Sequence, residues 1–207
     1  MLLKDLIACL FEGHGIPKKV FFRVDAGRIE GMSFGHLARC HILSKALKDY
    51  WNVETSFVMR NYTEGINNAL ALDEKVLSID ARNADWMRSV TDAIIFDLPT
   101  GPLQNELNIA KEKSIWTVIL DDLNNKVTWA NVVLNSSILA GSSFYPENAR
   151  LLLGPDYLIL NEQFQETSSK IRKQDGEFSV LITLGGSDLT GLTLNVLKAL
   201  TKNDHCG

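Results

Sequence analysis

Three places in this 207-residue chain carry side chains able to do chemistry. The first is the loop from Gly27 to Gly35, which contains Gly31 and runs directly into His36. Glycine lets the backbone approach a ligand closely, and a helix starting there offers unbonded N–H groups to an anion. Imidazole titrates close to neutral pH, so a histidine at this point suits general-base work. The alternative is a histidine that does no more than cap an ordinary turn. The spacing is not G-x-G-x-x-G, so a dinucleotide fingerprint is not supported.

The second place is a set of carboxylates that each follow an apolar run: Asp25, Asp97, and the pair Asp121-Asp122. Such groups can contact sugar hydroxyls or bind a metal, or they can simply cap loops and helix starts. No His/Cys cluster accompanies them, so neither a metal nor a cofactor is expected. The third place is the turn Gly185-Gly186-Ser187-Asp188. It reads either as a phosphate or ribose contact, or as a tight turn with Ser187 or Asp188 capping the next helix. It lacks the lysine of a P-loop. His14, His41 and His205 have no comparable setting, and His41 reads as a surface residue.

These groups need a scaffold, and the apolar pattern supplies one. Val20 to Val24 reads as a buried strand, and His36 to Tyr50 as a helix with Leu37, Cys40, Leu43 and Leu47 on one face. Strands follow at Thr55 to Met59, Asp92 to Asp97, Ile115 to Leu120 and Val132 to Leu134. Val76 to Ile79 is a short apolar run of either type. Helices alternate with the strands at Glu64 to Asp73, Ala84 to Ser89 and Pro102 to Lys113. The expected fold is α/β, a Rossmann-like parallel sheet with helices on both faces. Ligands of such a sheet bind beyond the carboxyl ends of its strands, where all three places collect.

The organisation along the chain reads as an N-terminal extension over 1–19, a Rossmann-like domain over 20–164, and a polar linker over 165–177. Residues 178–207 then read as the start of a second Rossmann-like domain, with a strand from Phe178 to Leu184 and a helix from Leu192 to Thr201. The extension holds one short amphipathic helix, because Lys4 and Asp5 interrupt anything resembling a signal peptide. No apolar run approaches the ~18 residues of a membrane span. A net charge of −4 without a dense Lys/Arg run argues against a nucleic-acid partner. The three cysteines, Cys9, Cys40 and Cys206, are too scattered for a disulfide framework and fit a reducing cytoplasm.

Taken in order, several motifs resemble one family. They are Phe22-Arg23-Val24-Asp25, Gly35-His36-Leu37-Ala38-Arg39-Cys40, Ile119-Leu120-Asp121-Asp122-Leu123, Leu151 to Tyr157, and Leu184 to Asp188. The set is similar to the UDP-2,4-diacetamido-2,4,6-trideoxy-β-L-altropyranose hydrolases of pseudaminic acid synthesis and to the related spore-coat polysaccharide proteins. The resemblance implies the N-terminal half of a GT-B-like two-domain fold. It implies hydrolysis of a UDP-sugar at the anomeric carbon without a metal, with His36 activating the water. Substrate contacts would come from Arg23, Asp25, Gly31, Gly35, Asp97, Asp122, Tyr157, Gly186, Ser187 and Asp188. The chain departs from the family pattern in a longer first loop (Arg28 to Ser33), in Leu98-Pro99 where His and Tyr follow the middle aspartate, in Asn161 where an arginine stands, and in carrying little of the second domain. Two other functions fit the same motifs: a glycosyltransferase, in which a sugar hydroxyl replaces water, and a non-catalytic relative that binds a sugar nucleotide.

Overall fold

The computed structural model describes residues 1–29, 31–80, 84–164, 180–184, 188 and 190–202. Six apolar runs form β1 (Lys19–Val24), β2 (Glu54–Arg60), β3 (Val76–Ile79), β4 (Ala93–Asp97), β5 (Trp116–Leu120) and β6 (Val132–Asn135). A seventh strand, β7 (Arg150–Leu153), takes in Leu151, Leu152 and Leu153 of the Leu151 to Tyr157 motif. The helices are α1 (Leu3–Leu10), α2 (Gly35–Trp51), α3 (Thr63–Ala71), α4 (Gln104–Glu112) and α5 (Leu192–Lys202). The short helix expected over Ala84 to Ser89 is a 3-10 helix, Asp85–Ser89.

The seven strands form one parallel sheet in the order β3-β2-β1-β4-β5-β6-β7. This is a Rossmann-like α/β fold. The chain builds outward from β1 to β3, returns to the other side of β1 with β4, and builds outward again. The reversal leaves a crevice between the carboxyl ends of β1 and β4. Register brings those ends level, with Val24 opposite Asp97.

Parallel strands need cover on both faces, and the sequence supplies it. Every residue of β4 is buried. One face packs Val20, Phe22, Phe57, Ile95 and Val118 beneath Leu6, Ile7 and Leu10 of α1 and Leu37, Leu43 and Leu47 of α2. The other packs Phe21, Val58, Ile94, Phe96 and Ile119 beneath Trp86, Met87, Leu107 and Ala110. Phe22 and Phe57 sit opposite each other on adjacent strands, with ring centroids 5.0 Å apart. Such a pair contributes about 1 kcal/mol beyond its burial.

The N-terminal segment is part of this domain, not an appendage to it. Helix α1 buries Leu6, Ile7 and Leu10 in the core, and Trp116 Nε1 donates to the Leu10 carbonyl at 2.9 Å. At the other end, the strand expected from Phe178 to Leu184 is not formed within its described residues 180–184, which are exposed apart from half-buried Ile182. A lone extended segment has no neighbour to take its backbone hydrogen bonds. Helix α5 forms, with Leu192, Leu194, Leu197 and Leu200 exposed. The expected linker over 165–177 lies outside the described residues. Among the described residues, no helix is long and apolar enough to cross a membrane.

Candidate functional site

The crevice between β1 and β4 is lined from three elements. Helix α2 begins one residue before His36, and its N-cap, Phe34, supplies no side-chain cap. Arg39 lies one turn further along α2, on the same face as His36. Asp97 is the last residue of β4 and is fully buried.

These three side chains form one hydrogen-bonded unit. His36 Nδ1 stands 2.6 Å from Asp97 Oδ1. Arg39 donates from Nε to Asp97 Oδ2 at 2.6 Å and from Nη2 to Oδ1 at 2.5 Å. Its Nη1 donates to Asp122 Oδ1, on the loop after β5, at 2.7 Å. Cys40 Sγ completes the ring of donors around Asp97 at 3.5 Å. Burial alone would push the Asp97 carboxyl up. The bonds from Arg39 and His36, with the charge of Arg39, outweigh it and hold the group below the usual carboxylate range. Asp97 is therefore a carboxylate that accepts a hydrogen bond from His36 Nδ1–H, so in the neutral imidazole the lone pair lies on Nε2.

Burial lowers the Arg39 guanidinium, but Asp97 and then Asp122 more than reverse that, so it stays charged. Burial pushes the Cys40 thiol well up, and Asp97 adds to it. Cys40 is a thiol donor here, not a nucleophile. His36 and Asp122 face a cleft of about 190 Å³ together with Gly31, Leu98, Pro99 and Leu123. That volume fits the reacting end of a ligand and is below the range of whole small-molecule sites, roughly 300–1,000 Å³. Gly31 has φ +73°, and a Cβ there would meet open space, so its glycine answers to backbone conformation.

The other residues expected in the site divide clearly. Arg23 and Asp25 were expected to contact substrate, but both are buried and turned on each other. Arg23 Nη1 and Nη2 donate to the two Asp25 oxygens at 2.8 and 3.1 Å. Asp25 also accepts from Arg60 N at 2.8 Å and Arg60 Nε at 2.7 Å. Burial would raise the Asp25 carboxyl, but its arginine partners win and lower it. Buried Glu106 sits behind, 3.6 Å from Arg23 Nε, its carboxyl pushed up by burial. These groups brace β1, β2 and α4 beneath the crevice. Asp121 is likewise internal, accepting from Tyr145 Oη at 2.7 Å and Asn125 Nδ2 at 2.6 Å.

Gly35 opens α2 with only Ser33 Oγ, at 3.6 Å, near its would-be Cβ. Tyr157 follows β7 and packs against the core, on the far side of the sheet order from β1. Asp188 caps α5, accepting from Leu192 N at 2.9 Å and Thr193 N at 3.1 Å. Gly186 and Ser187 lie outside the described residues. His41 is not a free surface group: Nδ1 meets the fully buried Glu74 Oε1 at 2.7 Å, beside Lys48 and Ser44. Among the described residues, no three His, Cys, Asp or Glu side chains group as metal ligands.

Sequence reasoning gave Arg39, Cys40 and Tyr145 no role. For Arg39 a signal existed, since a cation three residues after His36 shares its helix face. For Tyr145 none did, because its partners Asp121 and Asn135 meet it only through the fold.

No family model matches this chain. It is homologous to the spore coat polysaccharide biosynthesis protein SpsG of Bacillus subtilis strain 168, with 29% identity over 186 residues, 84% of this chain and 52% of SpsG. It is also similar to an uncharacterized protein of Methanocaldococcus jannaschii, with 26% identity over 192 residues, 86% of this chain and 39% of that protein. The chain thus spans about half the length, or less, of the curated relatives it matches. Among solved structures, the crystal structure of Acinetobacter baumannii MurG aligns at TM-score 0.45 and 15% identity over 65% of this chain and 44% of that one.

Proposed function

We propose that this chain carries the proton-accepting half of an enzyme that cleaves a nucleotide-linked sugar for polysaccharide synthesis, by hydrolysis. The observation that carries the reading is the His36–Asp97 pair at the switch point, with Nε2 left as an acceptor beside the cleft. The polysaccharide-biosynthesis name of SpsG supports the substrate class. In this reading a water sits against His36 Nε2. Its oxygen bonds to the anomeric carbon while its proton passes to Nε2. The bond from that carbon to the diphosphate oxygen breaks, and UDP leaves with the electron pair. Asp97 keeps the imidazole in the right tautomer and balances the positive charge it gains. No step is assigned to a metal or cofactor. The expected substrate is a UDP-linked diacetamido-trideoxy sugar, and the expected architecture adds a second Rossmann-like domain across the crevice.

The test is UDP release by the longest product of the reading frame, comparing wild type with His36→Asn. Asparagine keeps polar bonding in the loop but cannot take the proton. The variant should lose about 10²–10⁴-fold in kcat. A near wild-type rate would remove the proposed base.

A transferase is the second reading, and the cleft wall favours it. Leu98, Pro99 and Leu123 present apolar surface beside Asp122, which suits the ring face of an acceptor sugar. Product analysis separates the two: free sugar for hydrolysis, a new glycosidic bond for transfer. Binding without either product would favour the non-catalytic relative.

A further inference from the structure

The carboxyl ends of β2 and β3 flank a second, larger and open cleft that the reaction above does not use. It measures about 490 Å³ and is lined by Arg60, Asn61, Tyr62, Ser78, Ile79 and Asp80. We propose that it is a binding subsite for the carboxylate of an acidic sugar, anchored by Arg60.

Arg60 is prepared for such a task. It is the last residue of β2, and buried Asp25 holds both its backbone N–H and its Nε. The guanidinium carbon lies 5.2 Å from the centre of the Tyr62 ring, which supports one face of the group. One edge and one face are therefore occupied. Nη1 and Nη2 make no hydrogen bond among the described residues, and the side chain is 35% exposed. A guanidinium clamped at Nε presents its two remaining nitrogens as a fixed fork, which matches the two oxygens of a carboxylate. Its orientation exists before the ligand arrives, so little side-chain entropy is lost on binding.

The rest of the lining selects the ligand. Asn61 and Ser78 are exposed and offer hydroxyl partners, while Ile79 gives an apolar floor. Asp80 closes the lining with a carboxylate, whose oxygens can each accept more than one hydroxyl proton. The volume lies within the usual small-molecule range. The cleft shares the carboxyl edge with His36. Only β1 separates β2 from β4, so the strand ends carrying Arg60 and Asp97 are about 10 Å apart. An acidic sugar held here would sit beside the reacting sugar. That role rests on the sugar-nucleotide reading; the binding itself does not.

The experiment is an NMR amide titration of the whole chain with D-glucuronate, D-glucose and glucose 6-phosphate. Glucuronate should give saturable shifts at Asn61, Tyr62 and Ser78, and glucose none. Arg60→Lys keeps the charge but loses the fork, and should weaken glucuronate binding about tenfold. Ser78→Asp adds a repelling carboxylate at an exposed position and should do the same without lowering the melting temperature. Arg88→Gln, at a surface arginine elsewhere, should change nothing. Equal binding of glucose and glucuronate, no saturation with glucuronate, or undiminished glucuronate binding in both variants would overturn the subsite. Tighter binding of glucose 6-phosphate would overturn its carboxylate preference. Glucuronate shifts should persist in His36→Asn, so failure of the proposed catalysis and failure of this subsite give different results.

Discussion

His36 and Asp97 are 61 residues apart in sequence and 2.6 Å apart in space. The contact crosses the switch point of the sheet, from the first turn of α2 to the last residue of β4. It joins a half-buried ring to a carboxylate that water does not reach.

Asp97→Asn should damage both chemistry and fold. The amide cannot balance Arg39 or fix the Nδ1 proton of His36. We expect kcat to fall about 10³-fold with a smaller change in KM, as for loss of a general base's orienting group. Breaking a buried ion pair by removing one partner should also cost roughly 3–5 kcal/mol, read from urea unfolding. A variant unchanged in both respects would show that the pair is idle.

Acid should weaken the protein through Asp25 and Asp97. Both carboxyls are buried, yet their arginine partners hold them below the ordinary value. Their stabilisation is therefore present above the unfolded aspartate value, about 3.9, and is lost as pH falls through the lower folded values. Glu106 has the opposite sign, because burial raises it. Its contribution is present below about pH 4.3 and is lost as pH rises through the folded value. Urea midpoints against pH should thus fall less steeply on the acid side in Asp25→Asn. Glu106→Gln should gain on wild type between pH ~4 and neutrality. The reverse trend in either variant would contradict the assigned shifts.

Two glycines should respond oppositely to alanine. A Cβ on Gly65 would lie 2.0 Å from the Ala26 carbonyl oxygen, where α3 crosses the loop after β1. Gly65→Ala should cost about 1–3 kcal/mol or more by overpacking. At Gly35 the nearest atom is Ser33 Oγ at 3.6 Å. Gly35→Ala should be neutral or stabilising by up to ~1 kcal/mol. Thermal unfolding of the pair decides this, and equal losses would refute it.

Tyr145→Phe should loosen the loop that carries Asp122. The Tyr145 hydroxyl donates to Asp121 and accepts from Asn135 Nδ2 at 2.8 Å. Burial and the neighbouring aspartates raise this phenol, so it remains a donor. Removing the hydroxyl takes one donor from Asp121 Oδ2, which keeps Asn125 N, and one acceptor from Asn135 Nδ2, which keeps Asn124 Oδ1, at about 1–3 kcal/mol. KM should rise more than kcat falls, because Asp122 is displaced while His36 and Asp97 are not. Unchanged stability would mean the bonds are replaced by water.

How much of this was legible in the sequence varies by element. The runs that became β1, β2, β4, β5 and β6 stood out because both faces of a parallel strand are covered, which forces continuous apolar stretches. β7 was missed as a strand: it is an edge strand of four residues, only one of them fully buried, so its run is short. The strand expected over 178–184 failed in its described part for the converse reason, since an apolar run forms a strand only beside another.

The site divides along the same line. His36 as a candidate base, and the carboxylates at strand ends, follow from local order: strand, glycine loop, helix. Local order could not say which carboxylate His36 would meet. Asp25 is 11 positions away in sequence yet faces Arg23 and Arg60, while Asp97 closes on the imidazole. The sequence by itself determined the alternation of elements, the parallel sheet and the edge on which chemistry collects, because these depend on hydrophobic period and chain direction. Only the tertiary structure decided the partners. Strand order places β2 and β4 on opposite sides of β1, and burial then makes each carboxylate take whichever cation the neighbouring strand end or helix turn brings within hydrogen-bond distance: Arg60 of β2 for Asp25, Arg39 of α2 for Asp97.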